Sequence, residues 1–529
     1  MTRGNTATVR EVTRALMREL GLTTVFGNPG TTEVGFLTDW PDDLRYVLGL
    51  QESVVVAMAD GFAQARGGPV LANLHSAGGV GHALGSVYTA HRNRTPLVVL
   101  AGQQARRLLT GEPFLGATDA VAFPRPYVKW AVETARAADV PAALARATRL
   151  ALTPPRGPVF VSVPVDDWDA AAEPVHAEPV AAAVVDQRAV AEVAAALDAA
   201  RRPALVAGAA VDEDGAVADL VAVAERSAAP VWAAPMSARC AFPERHPLFA
   251  GFLPPEQQAI ARALGGHDVV VVLGAPAFTL HVVRPGADLP LPLLFLLSDD
   301  PDVLARAPHG RGVLGAVGPS VAALAAAVRG RADRTPPTPR PRPRRPEPGT
   351  PMPAAYVLDA LARVLPGDAL VVEEAPSHRD ALRAHLPMRA GGFQTVASGA
   401  LGYGIAAAVG AAIAKPGRPV AAVLGDGSSM YGIQALWTAA RERARVVFLV
   451  LDNAEYAAVR LLGDAAGGRK LPGTELGGID FPALATGMGC AAVSVDDPGR
   501  LPDALEVAFA AAGPVLVHVP VGRTTEGLY

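Results

Sequence analysis

Two short stretches near the C-terminus carry the residues best suited to chemistry. Gly425-Asp426-Gly427-Ser428 follows an apolar run at 419–424, and Asp452-Asn453 follows a second run at 446–451. Short apolar runs of this kind read as buried parallel strands. Between them, residues 428–441 place Ile433, Leu436 and Trp437 as the apolar positions of a helix. The carboxyl ends of parallel strands lie on one side of a sheet, where such folds take ligands. Asp426 offers a hard carboxylate oxygen and Asn453 an amide oxygen. That donor set suits Mg²⁺, which takes few protein ligands and fills the rest of its shell with phosphate and water. Gly425, Gly427 and the amino end of the next helix leave backbone N–H groups for a diphosphate. A lone Gly-Asp-Gly is usually a turn; its place after a strand, with an Asx pair after the next strand, gives it weight.

The first third of the chain shows the same habit. Residues 7–20 read as a helix and 23–26 as a strand, followed by Gly27-Asn28-Pro29-Gly30-Thr31-Thr32-Glu33. This is a turn and a helix start, with Thr31 or Thr32 as N-cap and Glu33 in the first turn. Residues 44–50 are strand-like, and Gln51-Glu52 opens a helix to Arg66. Residues 69–74 form a strand ending in His75-Ser76-Ala77-Gly78-Gly79-Val80-Gly81, whose glycines let backbone approach a ligand. Further strands are read at 97–101, before Gly102-Gln103-Gln104, and at 159–163. Taken singly, Glu52 is a partner for its helix dipole and His75 a satisfied histidine. That reading leaves unexplained why both follow successive strands.

These motifs together are similar to the thiamine-diphosphate (ThDP) enzymes, and within them to decarboxylases of the benzoylformate-cleaving branch. The likeness rests on GNPGTTE, LQE, NLHSAGGVG, AGQQ, PRPYVKW at 124–130, VPVDDWD at 163–169, and the GDGS and DN stretches. It implies a pyrimidine-binding domain, a middle domain and a diphosphate-binding domain. It implies that Glu52 is the carboxylate that hydrogen-bonds the cofactor's N1′, and that Asn28, Pro29 and Gly30 flank the pyrimidine. Leu401, after Gly399, would sit under the bent cofactor. The diphosphate and its metal would lie on Asp426, Gly427, Ser428 and Asn453, with Glu455 giving its backbone carbonyl as third metal ligand. Tyr456, Ala457, Ala458 and Val459 would complete that side. The metal would be Mg²⁺, with Ca²⁺ as a substitute.

The resemblance also implies His75, His281 and Thr31 as polar groups at the substrate carbonyl and carboxylate. The other histidines, His82, His91, His176, His246, His267, His309, His378, His385 and His518, are read as background. Where the family has pocket aromatics this chain has Thr395 and Leu462; Phe114, Leu115 and Ala458 would line the remainder. Four more departures stand out: Thr31 for a serine, Pro376 for a threonine with Ser377 as substitute, Asp452 for an asparagine, and Ala454 for a glycine. The implied reaction is decarboxylation of an aryl or branched 2-oxo acid, benzoylformate first. The alternatives are a carboligase of the acetolactate-synthase kind and a regulatory relative that binds ThDP without turnover.

At 529 residues the chain should hold about three domains. Alternating strands and helices predict an α/β protein of three doubly wound parallel sheets at 1–170, 185–330 and 354–529. The middle part has strands at 204–207, 229–232, 268–273 and 293–297, and no GxGxxG fingerprint, so no FAD is expected. The Ala/Pro/Val-rich 170–188 and the Pro/Arg-rich 331–353 read as linkers. A net charge of −4 argues against nucleic acid or an acidic membrane as partner. Cys240 and Cys490 are the only cysteines, and no apolar signal core opens the chain, so a cytoplasmic location is expected. The resemblance implies a homo-oligomer, at least a dimer and more often a dimer of dimers, with ThDP between subunits.

Overall fold

A computed structural model describes residues 7–178, 184–283, 290–468 and 470–523. Residues 179–183 of the expected linker at 170–188, and the outermost ends of the first and last domains, 1–6 and 524–529, lie outside the described residues. The apolar runs become strands of three six-stranded sheets, and every strand pairing in them is parallel.

The first sheet holds β1 (Thr24–Asn28), β2 (Arg45–Leu48), β3 (Val70–Leu74), β4 (Leu97–Gln103), β5 (Ala131–Glu133) and β6 (Val159–Pro164), in the order β2-β1-β3-β4-β6-β5. The middle sheet holds β7 (Pro203–Ala207), β8 (Val231–Ala233), β9 (Phe249–Phe252), β10 (Val269–Leu273), β11 (Leu293–Ser298) and β12 (Arg311–Leu314), in the order β12-β11-β10-β7-β8-β9. The third holds β13 (Leu370–Glu374), β14 (Phe393–Thr395), β15 (Val420–Gly425), β16 (Val446–Asp452), β17 (Ala491–Ser494) and β18 (Val515–Pro520), in the order β14-β13-β15-β16-β18-β17. The first and third sheets therefore share one topology. The middle sheet has the strand order of dinucleotide-binding folds, which by itself assigns no ligand. Central strands such as β3 and β4 are buried along their whole length, which is why they read as unbroken apolar runs.

Two helices tie the outer domains together: α1 (Glu52–Arg66), and, beyond α2 (Ser76–Arg92), the apolar α3 (Gly404–Ala414). They pack backbone to backbone. A Cβ on Gly61 would stand 2.2 Å from the Ala407 carbonyl oxygen, and one on Gly410 would stand 1.9 Å from that of Met58. Only glycine permits that approach. The contacts pair 61 with 407 and 58 with 410, so the helices run antiparallel. Val54, Met58, Phe62, Ile405 and Val409 belong to one core spanning both domains.

Two helices are shorter than their apolar pattern. The apolar stretch 400–414 turns helical only at Gly404, because Gly399 and Gly402 take φ of +76° and +103°. The one read over 428–441 is split into α4 (Asp426–Met430) and α5 (Ala435–Arg441). The two interruptions press on each other: a Cβ on Gly402 would stand 3.0 Å from Tyr431 Cβ, and one on Gly432 would stand 2.9 Å from Ile405 Cγ2. The stretch 331–353 has no helix or strand, yet it is strapped down. Arg334 donates to the carbonyls of Leu197, Asp198, Ala200 and Ser227, and Arg340 lies over the Phe252 ring. Among the described residues no helix is long and apolar enough to cross a membrane.

Candidate active site

At the carboxyl end of the first sheet, Glu52 is the first residue of α1 and is 8% exposed. The helix start is capped by Gln51, whose side-chain oxygen accepts from the N–H groups of Ser53 and Val54. Asn28, the last residue of β1, donates from Nδ2 to Glu52 Oε1 at 3.1 Å. On the other side His82 Nδ1 lies 3.0 Å from Glu52 Oε2. His82, a background histidine in the sequence, stands in the structure on the Glu52 carboxylate. The signal was present, since His75, Gly79 and His82 sit on one face of α2.

His75 is fixed by a buried network. Thr32 donates its hydroxyl to Glu33 Oε1 at 2.6 Å, and the N–H groups of Gly30 and Gly102 donate to Glu33 at 2.7 and 3.0 Å. His75 Nδ1 lies 2.9 Å from Glu33 Oε2. The network assigns the ring proton to Nδ1, which leaves Nε2 as the free face of the ring. Neither Thr31 nor Thr32 is the expected N-cap: both lie inside the 3₁₀ turn Thr31–Glu33, whose N-cap is Gly30. Thr32 is buried against His75, at 2.9 Å, while Thr31 is exposed on the loop rim. Phe114 and Leu115 lie beside this network: Ser76 donates to the Leu115 carbonyl at 2.6 Å and Gln104 to that of Phe114 at 2.8 Å. Phe114 is 87% exposed.

At the carboxyl end of the third sheet, β15 delivers Asp426 and β16 delivers Asn453. Asp426 Oδ1 accepts from the Gly427 N–H at 2.7 Å, whereas Oδ2 is buried and has no hydrogen-bond partner. Burial and the nearby Asp452 push the Asp426 carboxyl up to about 7. An unpartnered buried carboxylate oxygen beside a buried amide oxygen fits a divalent cation. Among the described residues no group of three or more His, Cys, Asp or Glu side chains is placed to hold a metal, so such a site rests on one carboxylate, an amide and a carbonyl. A Cβ on Gly427 would stand 2.4 Å from the Tyr456 ring, which fixes the glycine there. Ser428 donates its hydroxyl to the Glu374 carbonyl at 2.6 Å, so that oxygen is already engaged. The Glu455 side chain is held by Arg460 at 2.9 and 3.0 Å.

The departures from the family pattern have local explanations. His518, also read as background, places Nε2 2.9 Å from Asp452 Oδ2 and Nδ1 2.9 Å from Ser494 Oγ. Burial raises the Asp452 carboxyl, but His518 and the Ala454 N–H outweigh it and hold it below its ordinary value. The extra acid is thus paired. Pro376 is the first residue of a 3₁₀ turn, Pro376–His378, where a missing N–H costs little; Ser377 follows it. Ala454 sits at φ +55°, a conformation that favours glycine. Thr395 is buried, and its hydroxyl donates to the carbonyl and carboxylate of Glu373. Val459 and Leu462, on α6 (Ala457–Ala465) with Ala458, are 53% and 40% exposed. His281 stands exposed on the middle domain, its backbone N–H donated to the Pro255 carbonyl.

Within one chain the two groups of residues do not meet. Gly404, whose N–H donates to Glu374 at the end of β13, marks the third sheet's ligand side. The antiparallel register of α1 and α3 puts it level with the far end of α1, roughly 18 Å along the helix from Glu52 at 1.5 Å per residue. Gly399 and Leu401 share the Gly404 end, where Ser398 Oγ lies 2.8 Å from Thr89 near the C-terminus of α2. Each chain therefore carries two half-sites at opposite ends of one helix pair.

One group holds a buried glutamate at a helix start and the other a glycine-rich loop with an unpartnered buried carboxylate oxygen, both at strand ends where α/β enzymes take their ligands. The family comparisons agree: residues 7–123 match the thiamine pyrophosphate enzyme N-terminal TPP binding domain, 190–323 the central domain, and 378–519 the C-terminal TPP binding domain. The chain belongs to the thiamine pyrophosphate enzyme family. It is 42% identical to the benzoylformate decarboxylase of Pseudomonas aeruginosa over 97% of this chain and 98% of that one. Its fold superimposes on a Rhodococcus jostii ThDP-dependent 4-hydroxybenzoylformate decarboxylase with a TM-score of 0.94, at 41% identity over 98% and 99% of the two chains. It superimposes on the Polynucleobacter necessarius benzoylformate decarboxylase with a TM-score of 0.96, at 36% identity over 98% and 100%. By this kinship the chain is a ThDP-dependent enzyme of the decarboxylase branch.

Proposed function

We propose that two copies of this chain, holding ThDP and Mg²⁺ between them, decarboxylate an aryl 2-oxo acid such as benzoylformate to the aldehyde and CO₂. The observation that carries the proposal is the Glu52 carboxylate, buried at a helix start and held by Asn28 beside a pre-oriented His75. When bound, ThDP supplies the carbon nucleophile and electron sink that loss of CO₂ requires. The chain does the rest. Glu52 holds a proton at the pyrimidine N1′, with Asn28, Pro29 and Gly30 around it. Asp426, Asn453 and the Glu455 carbonyl hold the metal, and Gly427 and Ser428 sit at the diphosphate. Ser377, Gly399, Leu401 and the 456–459 turn complete the cofactor's bed. His75 presents Nε2 for proton transfer at the substrate carbonyl oxygen, joined by His281 and the Thr31 hydroxyl.

The names of the relatives support an aryl substrate, and so do the exposed apolar side chains of Phe114 and Leu115 at one half-site and Leu462 at the other. Thr395 and Leu462 in place of aromatics leave room for ring substituents or a branched chain. The half-sites at opposite ends of the helix pair support a homodimer, in which Glu52 of one copy faces Asp426 of the other. Pairing of such dimers is the arrangement we favour. We propose no FAD, no nucleic-acid or membrane partner, and a cytoplasmic location.

A panel of 2-oxo acids with added ThDP and Mg²⁺, followed by aldehyde release, tests the proposal. Benzoylformate turns over, and Glu52→Gln loses about 100-fold or more. Turnover that occurs only when a carbonyl acceptor is added, giving a joined product, would make the chain a carboligase instead.

A further inference from the structure

We infer that His82 is a positioning residue for Glu52, an inference that rests on the proposed function. The Glu52 carboxylate is clamped from both sides, by Asn28 on Oε1 at 3.1 Å and by His82 on Oε2 at 3.0 Å. The terminal torsion of a glutamate is a broad rotor, so one donor alone leaves the carboxylate free to pivot. Two donors on different oxygens set its plane, and with it the direction in which a shared proton points. The surface of α2 is shaped for this. His75 is its N-cap and His82 lies seven residues on, two turns along the same face. Gly79 lies between them, and a Cβ there would stand 3.3 Å from Glu52 Cγ and 3.4 Å from Oε1. The helix therefore leaves a notch for the glutamate side chain, with one imidazole on either side of it.

Exposure separates the roles of the two rings. The side chain of Glu52 is 11% exposed and that of His82 67% exposed, so the imidazole closes the outer rim of the carboxylate's pocket. Donation from Nδ1 fixes the tautomer and leaves Nε2 facing outward. His82 is not in contact with the expected substrate groups; it acts through Glu52.

The test uses the full chain with ThDP and Mg²⁺ and no substrate. Hydrogen–deuterium exchange at the cofactor's C2, read by proton NMR after acid quench, reports what Glu52 does to the cofactor. Calorimetry reports ThDP affinity, and the melting midpoint of the cofactor-free protein reports folding. A charge-assisted hydrogen bond contributes on the order of tenfold, so His82→Ala exchanges about tenfold more slowly. Its ThDP affinity stays within threefold of wild type and its melting midpoint is unchanged. His82→Asn, whose amide N–H falls near the position of Nδ1, recovers exchange to within threefold of wild type. Exchange by His82→Ala within twofold of wild type overturns the inference, as does an Asn variant as slow as the Ala variant. A fall in ThDP affinity that accounts for the whole loss would make His82 a binding group and overturns it too. If the wild-type protein binds no ThDP, or Glu52→Gln exchanges at the wild-type rate, the proposed function itself fails and this inference with it.

Discussion

Mixing two inactive variants should restore activity. Glu52→Gln removes the carboxylate from one half-site and Asp426→Ala removes the metal ligand from the other. The helix register separates Glu52 from the Gly404 end of the helix pair in its own chain by about 18 Å along α1, and Gly61 and Gly410 lock that register by backbone contact. If each site joins Glu52 of one copy to Asp426 of the other, a mixed dimer has one site with both defects and one with neither. Random reassociation of an equal mixture gives half mixed dimers, so about a quarter of all sites are intact. The assay is benzoylformate turnover after the variants are unfolded together and refolded, with native mass spectrometry to count mixed dimers. Activity near a quarter of wild type is expected, against near zero for each variant refolded alone. Mixed dimers without recovered activity would place both residues in one chain's site and refute the reasoning from the helix pair.

Three further outcomes follow from the same structure. Asp426→Asn keeps the fold but weakens calorimetric Mg²⁺ binding in the presence of ThDP by at least about tenfold, because the unpartnered Oδ2 is the charged donor; unchanged Mg²⁺ affinity would remove Asp426 from the metal site. Ala454→Gly relieves a left-handed residue at φ +55° and stabilises the protein by about 0.5–1 kcal/mol after the entropy cost of glycine, read from urea midpoints; a destabilised variant would contradict that conformation. Burial holds His378 down at about 4, so as pH falls below the ordinary imidazole value the unfolded chain takes up a proton that the folded chain refuses. Stability is thus present above about pH 6.5 and is lost toward pH 4, by up to ~3 kcal/mol. Urea midpoints at pH 7 and pH 5 should lie closer together in His378→Gln than in wild type, and an identical spacing would rule out His378 as the cause.

The α/β class and the placing of Asp426, Asn453, Asn28 and Glu52 at strand ends were legible in the sequence. Each belongs to a strand–turn–helix unit only a few residues long, and both the apolar period and the turn chemistry are local. The departures at Thr31, Pro376, Asp452 and Ala454 were visible as residue types, but not their consequences. That Asp452 is matched by His518 is a contact between β16 and β18, distant in sequence and neighbours only in the sheet. The split between α4 and α5 falls at Tyr431 and Gly432, which pack against Gly402, a neighbour that the stretch 428–441 does not itself contain. His82 looks in the sequence like any isolated histidine, because its meaning depends on where the start of α1 comes to rest.

The chain's own order of residues settled which groups stand ready at which strand ends, because backbone period and glycine placement act over a few residues. Packing settled which of those groups meet. The glycine contacts between α1 and α3 hold the two loops at opposite ends of a shared core, and no local pattern encodes a distance set by helices about 350 residues apart.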